Sequence, residues 1–166
     1  MTMIDVRPST LTPIYPFRLA ELATELAADR SRWPSDVRFD EQKRWYGRVS
    51  TDSPVEAWLL TWLPGQSTGL HDHGETAGAF VVVEGVLQET KVMPHPEGGL
   101  RDVTRRFGAG RVRPFSSWHV HDLVNAGTVP AISLHVYAPG LAMTRRYRRQ
   151  HGRLVQVSVQ WAGEDW

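Results

Sequence analysis

Apolar positions change their spacing about one third of the way along the chain. Over residues 17–28, Leu19, Leu22 and Leu26 recur at helical intervals among alanines and glutamates, and Pro34, just after Trp33, marks a stop. This predicts one amphipathic helix on the outside of whatever follows. A weaker periodicity over residues 36–44, with Phe39 and Trp45 turned inward, predicts a second, shorter helix. From residue 56 onward the pattern shortens. β-Branched and aromatic runs over residues 57–63, 78–84, 86–93, 100–107, 118–124, 131–137 and 154–159 alternate with Gly and Pro punctuation, the signature of an antiparallel sandwich or barrel. Glu84 and Gly85 read as a tight turn and residues 94–99 as a surface loop.

A chain of 166 residues at 41% hydrophobic content is the size of one domain with a real core. The expectation is a single domain over residues 1–166, in which a mainly helical region, 1–45, packs on a β-barrel, 46–166. Neither a signal-like start nor an apolar run of about 18 residues occurs, so a soluble, cytoplasmic protein with no membrane contact is expected. The net charge of +1 gives no global pull towards nucleic acid. The basic run from Arg145 to Arg149 reads as a solvated edge or interface. No feature calls for an oligomer, and a monomer is expected. There is no cysteine, which removes disulfides, thiolate ligands and a thiol nucleophile together.

Histidine changes the picture. His71 and His73 stand at i and i+2, so in a strand both rings project to one face and can grip one ion. His119 and His121 repeat the spacing further on, as a closed barrel would require if distant strands surround one internal metal site. Parity alone does not choose between His119 and His121. Glu75 reads as a loop carboxylate, and Trp58, Trp62 and Trp118 as core or pocket wall.

The stretch Gly65-Gln-Ser-Thr-Gly-Leu-His71-Asp-His73, followed by Gly85, resembles the first cupin motif, and His121-Asp-Leu-Val-Asn125 resembles the end of the second. The resemblance implies a mainly β fold, the cupin double-stranded β-helix or jelly-roll barrel, with N-terminal helices. It also selects His121, which opens the second motif, as the third ligand. The glutamate that follows the paired histidines in most metal-binding cupins would fall at Ala77 or Gly78, and neither can ligate. Cupins with three histidines and no such carboxylate include the thiol dioxygenases, the cysteine dioxygenase family among them. Ser133, His135 and Tyr137 resemble that family's relay beside the metal and alternate onto one strand face. Ala138-Pro139 resembles the step after its tyrosine, and Tyr46-Gly47-Arg48 resembles the Tyr-X-Arg element whose arginine binds the substrate carboxylate.

What the resemblance implies is Fe(II) held by His71, His73 and His121, with catalytic roles for Tyr137, His135 and Ser133 and substrate contacts from Arg48 and Tyr46. The partners would be O2 and a small thiol, cysteine before 3-mercaptopropionate, oxidised to the sulfinic acid. A non-redox cupin, either a sugar isomerase or a sensor, is the reading from a different class. In animal members a cysteine crosslinks to the active-site tyrosine; here that position is Gly78, so no Cys-Tyr crosslink can form, and a bacterial source is expected.

Overall fold

The computed structural model describes residues 16–51 and 55–161. Expectations for residues 1–15 and for the last five residues lie outside the described residues. Helix α1, Pro16–Ala28, begins with proline, whose missing N–H is no loss in a first turn, and buries Leu19, Ala23 and Leu26 on one face. A 3-10 turn, Arg30–Arg32, follows, capped by the Asp29 side chain. The second helix expected over residues 36–44 is absent. Asp40 accepts from the backbone N–H of Gln42 and Lys43, while Thr61 and Gln66 donate side-chain hydrogen bonds to the carbonyls of Arg38 and Asp40, so side chains satisfy backbone groups that a helix would have used. The helical share of residues 16–45 is therefore one helix and one turn.

Eleven strands follow among the described residues: β1 Tyr46–Arg48, β2 Glu56–Trp62, β3 His71–Asp72, β4 Ala77–Glu84, β5 Val86–Pro94, β6 Leu100–Gly108, β7 Val112–Phe115, β8 His121–Val124, β9 Ala131–Ala138, β10 Met143–Gln150 and β11 Arg153–Trp161. They form two antiparallel sheets, ordered β1-β2-β9-β4-β7 and β11-β10-β3-β8-β5-β6. This is a mainly β, double-stranded β-helix architecture with one N-terminal helix. The expected turn at Glu84-Gly85 has a larger task than closing a hairpin, because β4 and β5 lie in different sheets. Gly85 turns that corner at φ +76°, and a Cβ there would stand 2.6 Å from the Pro130 carbonyl oxygen.

The central strands of the first sheet are buried on both sides. Their outer face, with Leu59, Val81, Leu134 and Val136, receives Leu19, Ala23 and Leu26 of α1. Their inner face, with Leu60, Phe80 and Val82, packs against Leu87, Phe107 and Leu123 of the second sheet. Each leucine so buried contributes about 1.5–3 kcal/mol. The outcome is a β9 strand buried at every residue from Ala131 to Tyr137, which fixes anything it carries. Among the described residues no helix is long and apolar enough to cross a membrane.

Four strands fall outside the apolar runs of the sequence, β1 and β3 being only three and two residues long. β7 is short and holds Pro114. β10 is the basic run itself, paired to β11 on one side and to β3 on the other. Arg145 donates two hydrogen bonds to the buried Asp72, at 2.9 and 3.1 Å, and Arg149 pairs with Asp102, so the run is a structural strand more than a solvated edge.

Candidate metal centre

A cavity opens between the two sheets, with His71, His73 and His121 at its end. His71 and His121 are direct partners across the β3–β8 ladder, and the ligand-capable atoms of the three lie within 4.8 Å of one another. Strand β3 is only two residues long, and its orientation comes from Asp72, which alternates to the opposite face. Besides Arg145, Asp72 accepts from Tyr147 Oη at 2.7 Å and from the Gly74 N–H at 2.9 Å. Those bonds hold the strand from behind, so the flanking histidines face the cavity.

Tautomers follow from hydrogen bonds. His71 Nδ1 donates to the Gly69 carbonyl at 2.9 Å and His121 Nδ1 to Glu89 Oε1 at 2.9 Å, which leaves both Nε2 lone pairs for the cavity. His73 is held by its ring neighbours, stacked on Phe115 and tilted against Tyr137. Burial, and then the other two histidines of the trio, keep His71 far below the ordinary imidazole range; burial, His121 and His135 do the same to His73. Both rings are therefore neutral donors at pH 7. The buried His121 Nε2 and His73 Nδ1 have no hydrogen-bond partner in the protein. Unpartnered nitrogens in a cluster of three buried imidazoles fit a transition metal ion, for which imidazole is a good ligand.

His119 belongs elsewhere. Its Nε2 donates to Glu89 Oε1 at 2.8 Å and its ring stacks on Phe115. Glu75 is exposed in its loop. Glu89, which the sequence reading passed over, is 2% exposed and also accepts from Arg113 Nε at 3.0 Å. Burial would raise its carboxyl, but the hydrogen bonds from His119 and His121 outweigh that and hold it below the usual carboxylate range.

Beside the trio, the three residues expected to form a relay are joined by hydrogen bonds. Trp62 Nε1 donates to Ser133 Oγ at 2.9 Å, Ser133 Oγ meets His135 Nε2 at 2.9 Å, and His135 Nδ1 lies 3.5 Å from Tyr137 Oη. An indole can only donate, so Ser133 accepts there and keeps its own proton for His135 Nε2; His135 Nδ1–H then points to Tyr137, whose proton is free for the cavity. Burial, with Arg44 and His121, lowers His135 to about 3, and burial raises the Tyr137 phenol above its ordinary value. A neutral His135 carries a pH consequence. Its unfolded form binds a proton below about 6.5 and its folded form only near 3, so stability is complete above pH 6.5 and falls on acidification by about 1.4 kcal/mol per pH unit for this residue. Urea titrations of the metal-free protein at pH 7, 6 and 5 should show the fall, and His135→Gln should flatten the slope by that amount.

Gly78 faces Tyr137 across the β4–β9 ladder. A Cβ on Gly78 would stand 2.5 Å from the Phe115 ring, so Phe115 fills the space a side chain would need. With no cysteine in the chain, a Cys-Tyr crosslink is impossible.

Tyr46 and Trp58 line the cavity, as do Leu60, Leu123 and Leu141. Arg48 does not. It sits on the edge strand β1 with its side chain 69% exposed, 3.9 Å from Glu56 and over the outer part of the Trp58 ring, so the expected carboxylate clamp at Arg48 is not formed inside the cavity. The guanidiniums that do line it are Arg44, which the helix expectation concealed, and Arg146, from the basic run. Arg44 stacks on Trp62 and donates to the Ser67 carbonyl, while its buried Nε has no partner. Burial, then the Arg146 charge, lowers it to about 10. Arg146 is tied more fully, to Gln160 and to the Thr68 carbonyl. Trp62 is core, whereas Trp118 is 58% exposed beneath Arg145, neither core nor wall.

Two antiparallel sheets enclosing three inward imidazoles define a cupin with a metal-type site. The family described as cysteine dioxygenase type I matches residues 18–150, and the chain belongs to that family. Cysteine dioxygenase type 1 of Danio rerio is 23% identical over 130 residues, which are 72% of this chain and 63% of the length of that relative. Among solved structures, recombinant oxalate oxidase in complex with glycolate aligns with a TM-score of 0.52 at 14% identity, covering 67% of this chain and 59% of the other, a likeness of fold. A conserved protein with a double-stranded β-helix domain from Klebsiella pneumoniae aligns with a TM-score of 0.49 at 19% identity, covering 74% and 90%.

Proposed function

We propose that the protein is an Fe(II)-dependent thiol dioxygenase that converts L-cysteine and O2 to cysteine sulfinic acid. The observation that carries the reading is a buried three-histidine cluster without a carboxylate, set against the hydrogen-bonded Ser133, His135 and Tyr137 in one cavity. Both oxygen atoms enter the product, sulfur gives up four electrons, and O2 takes them, so no further reductant is needed. Fe(II), held by His71, His73 and His121, would supply the one-electron chemistry that lets a thiol react with ground-state O2.

The remaining work falls to the chain's own residues. The cavity has about 50 Å³ of free space, a few times the roughly 10–15 Å³ that one water requires, which suits a substrate of a few heavy atoms. Among the described residues no carboxylate lines it, and two guanidiniums do, so it favours an anion. Arg44, with its unpartnered Nε, is the residue we assign to the substrate carboxylate; Arg146 adds positive charge, and Thr144 Oγ1, also buried without a partner, can donate beside them. Leu60, Leu123, Leu141 and Trp58 keep bulk water from the reacting sulfur. Tyr137 offers its O–H to the oxygenated product as negative charge builds there, with Ser133 and His135 fixing its direction.

The same absence of a carboxylate leaves an ammonium group without a counter-ion from the protein, and that favours 3-mercaptopropionate as the second reading. Oxygen uptake by the Fe(II)-loaded protein with cysteine, 3-mercaptopropionate and cysteamine in parallel decides among them. Sulfinate from cysteine is expected; uptake with none of the three thiols would return the protein to the non-redox cupins. Arg44→Ala should raise the Michaelis constant for cysteine roughly tenfold to a hundredfold, the worth of a hydrogen bond to a charged group, and leave cysteamine little changed. Arg48→Ala should stay near wild type. The reverse pattern would restore the clamp to Arg48.

A further inference from the structure

Glu89 is a carboxylate only 2% exposed to solvent. It stands on β5, next to the β8 strand that carries His121, and follows Leu87 onto the inward face. A buried carboxylate is expensive unless hydrogen bonds and charge compensate it. Three donors do so here. Oε1 accepts from His119 Nε2 at 2.8 Å and from His121 Nδ1 at 2.9 Å, and Oε2 accepts from Arg113 Nε at 3.0 Å. Only one of the three, His121, turns its other nitrogen to the cavity trio. His119 and Arg113 serve to hold the carboxylate, and Arg113 neutralises it.

We propose that Glu89 is the positioning residue of the metal centre: it fixes the tautomer and tilt of His121 and supplies, one hydrogen bond away, a negative charge that a ligand set of three histidines does not itself contain. The inference rests on His71, His73 and His121 being metal ligands. A ligating imidazole whose N–H meets a carboxylate becomes a stronger electron donor, and its ring loses rotational freedom. Arg113 sets how much of that charge reaches the centre. Removing the carboxylate should therefore loosen the metal and favour Fe(II) over Fe(III), whereas removing Arg113 should leave the carboxylate less neutralised and favour Fe(III).

Glu89→Gln keeps the side chain's size and one acceptor oxygen. Co(II) titrated into the metal-free, full-length protein against a chelator should bind roughly 10–100-fold more weakly in this variant. The Fe(III)/Fe(II) potential of the iron-loaded protein should move up in Glu89→Gln and down in Arg113→Gln. A merely structural role would not move the two variants in opposite directions, and Arg113→Gln carries the test alone should Glu89→Gln fail to fold. Wild-type Co(II) affinity with an unmoved potential in Glu89→Gln, or an unmoved potential in Arg113→Gln, would overturn the assignment. His71→Ala keeps the two readings apart: if it binds Co(II) as wild type does, the metal site itself is wrong, and if it does not while Glu89→Gln does, Glu89 alone is wrong.

Discussion

His121→Ala should leave the purified protein nearly free of iron and without oxygenase turnover, while His119→Ala keeps most of its metal. Both rings are buried, both contact Glu89, and both share one strand parity, so composition and burial do not separate them. Direction does. His121 Nε2 is orphaned beside His71 and His73, whereas His119 spends its Nε2 on Glu89. Loss of a ligand should exceed the roughly 10–100-fold in affinity that follows loss of a supporting partner, and His119→Ala should stay within that smaller range. Metal content by elemental analysis, paired with oxygen uptake, reads both. Iron retained in His121→Ala and lost in His119→Ala would exchange their roles.

Tyr137→Phe should lower turnover on the order of 10²-fold, the scale of losing one directed donor in a closed site. Iron content and thermal unfolding should hardly change, because the ring stays packed among His73, Phe115 and the β9 neighbours while only the hydroxyl goes. Burial keeps that phenol protonated across the working range, so its part is donation of a hydrogen bond and not service as a base. Single-turnover measurement of sulfinate on metal-matched samples checks the prediction, and equal rates would remove Tyr137 from the mechanism.

Much of the site was legible in the chain because strand parity is rigid. His71 with His73, and Ser133 with His135 and Tyr137, share faces for the reason that any alternate residues of a strand do. Residues whose roles depend on what lies behind them were not legible. Glu89 reads as one polar residue in an alternating strand; its parity with Leu87 was the available signal that it points inward. Arg44 sat inside a false helix, since nothing in residues 36–44 reveals that Thr61 and Gln66 will occupy their carbonyls. Arg146 was hidden by its neighbours, four basic or aromatic residues that look like surface until β10 is seen between β3 and β11. Arg48 failed in the opposite sense. The motif placed it well in sequence, but a three-residue edge strand leaves its long side chain free to extend past the largely buried Glu56 into solvent. Fold class depended on none of these, because it follows from many short strands and one outer helix.

The two-residue strand that carries His71 sets a lasting condition on the site. A strand so short has no length with which to choose its own alignment, and a slip of one residue would turn both imidazoles outward and Asp72 inward. The choice is made by Asp72, clasped by Arg145 and Tyr147 on the far side from the three histidines. Transplanting the paired histidines into another barrel would therefore carry over the donors without their alignment. The portable unit is the histidine pair together with a neighbouring strand whose alternate side chains close on the aspartate, and its heritable part includes residues that do not line the cavity.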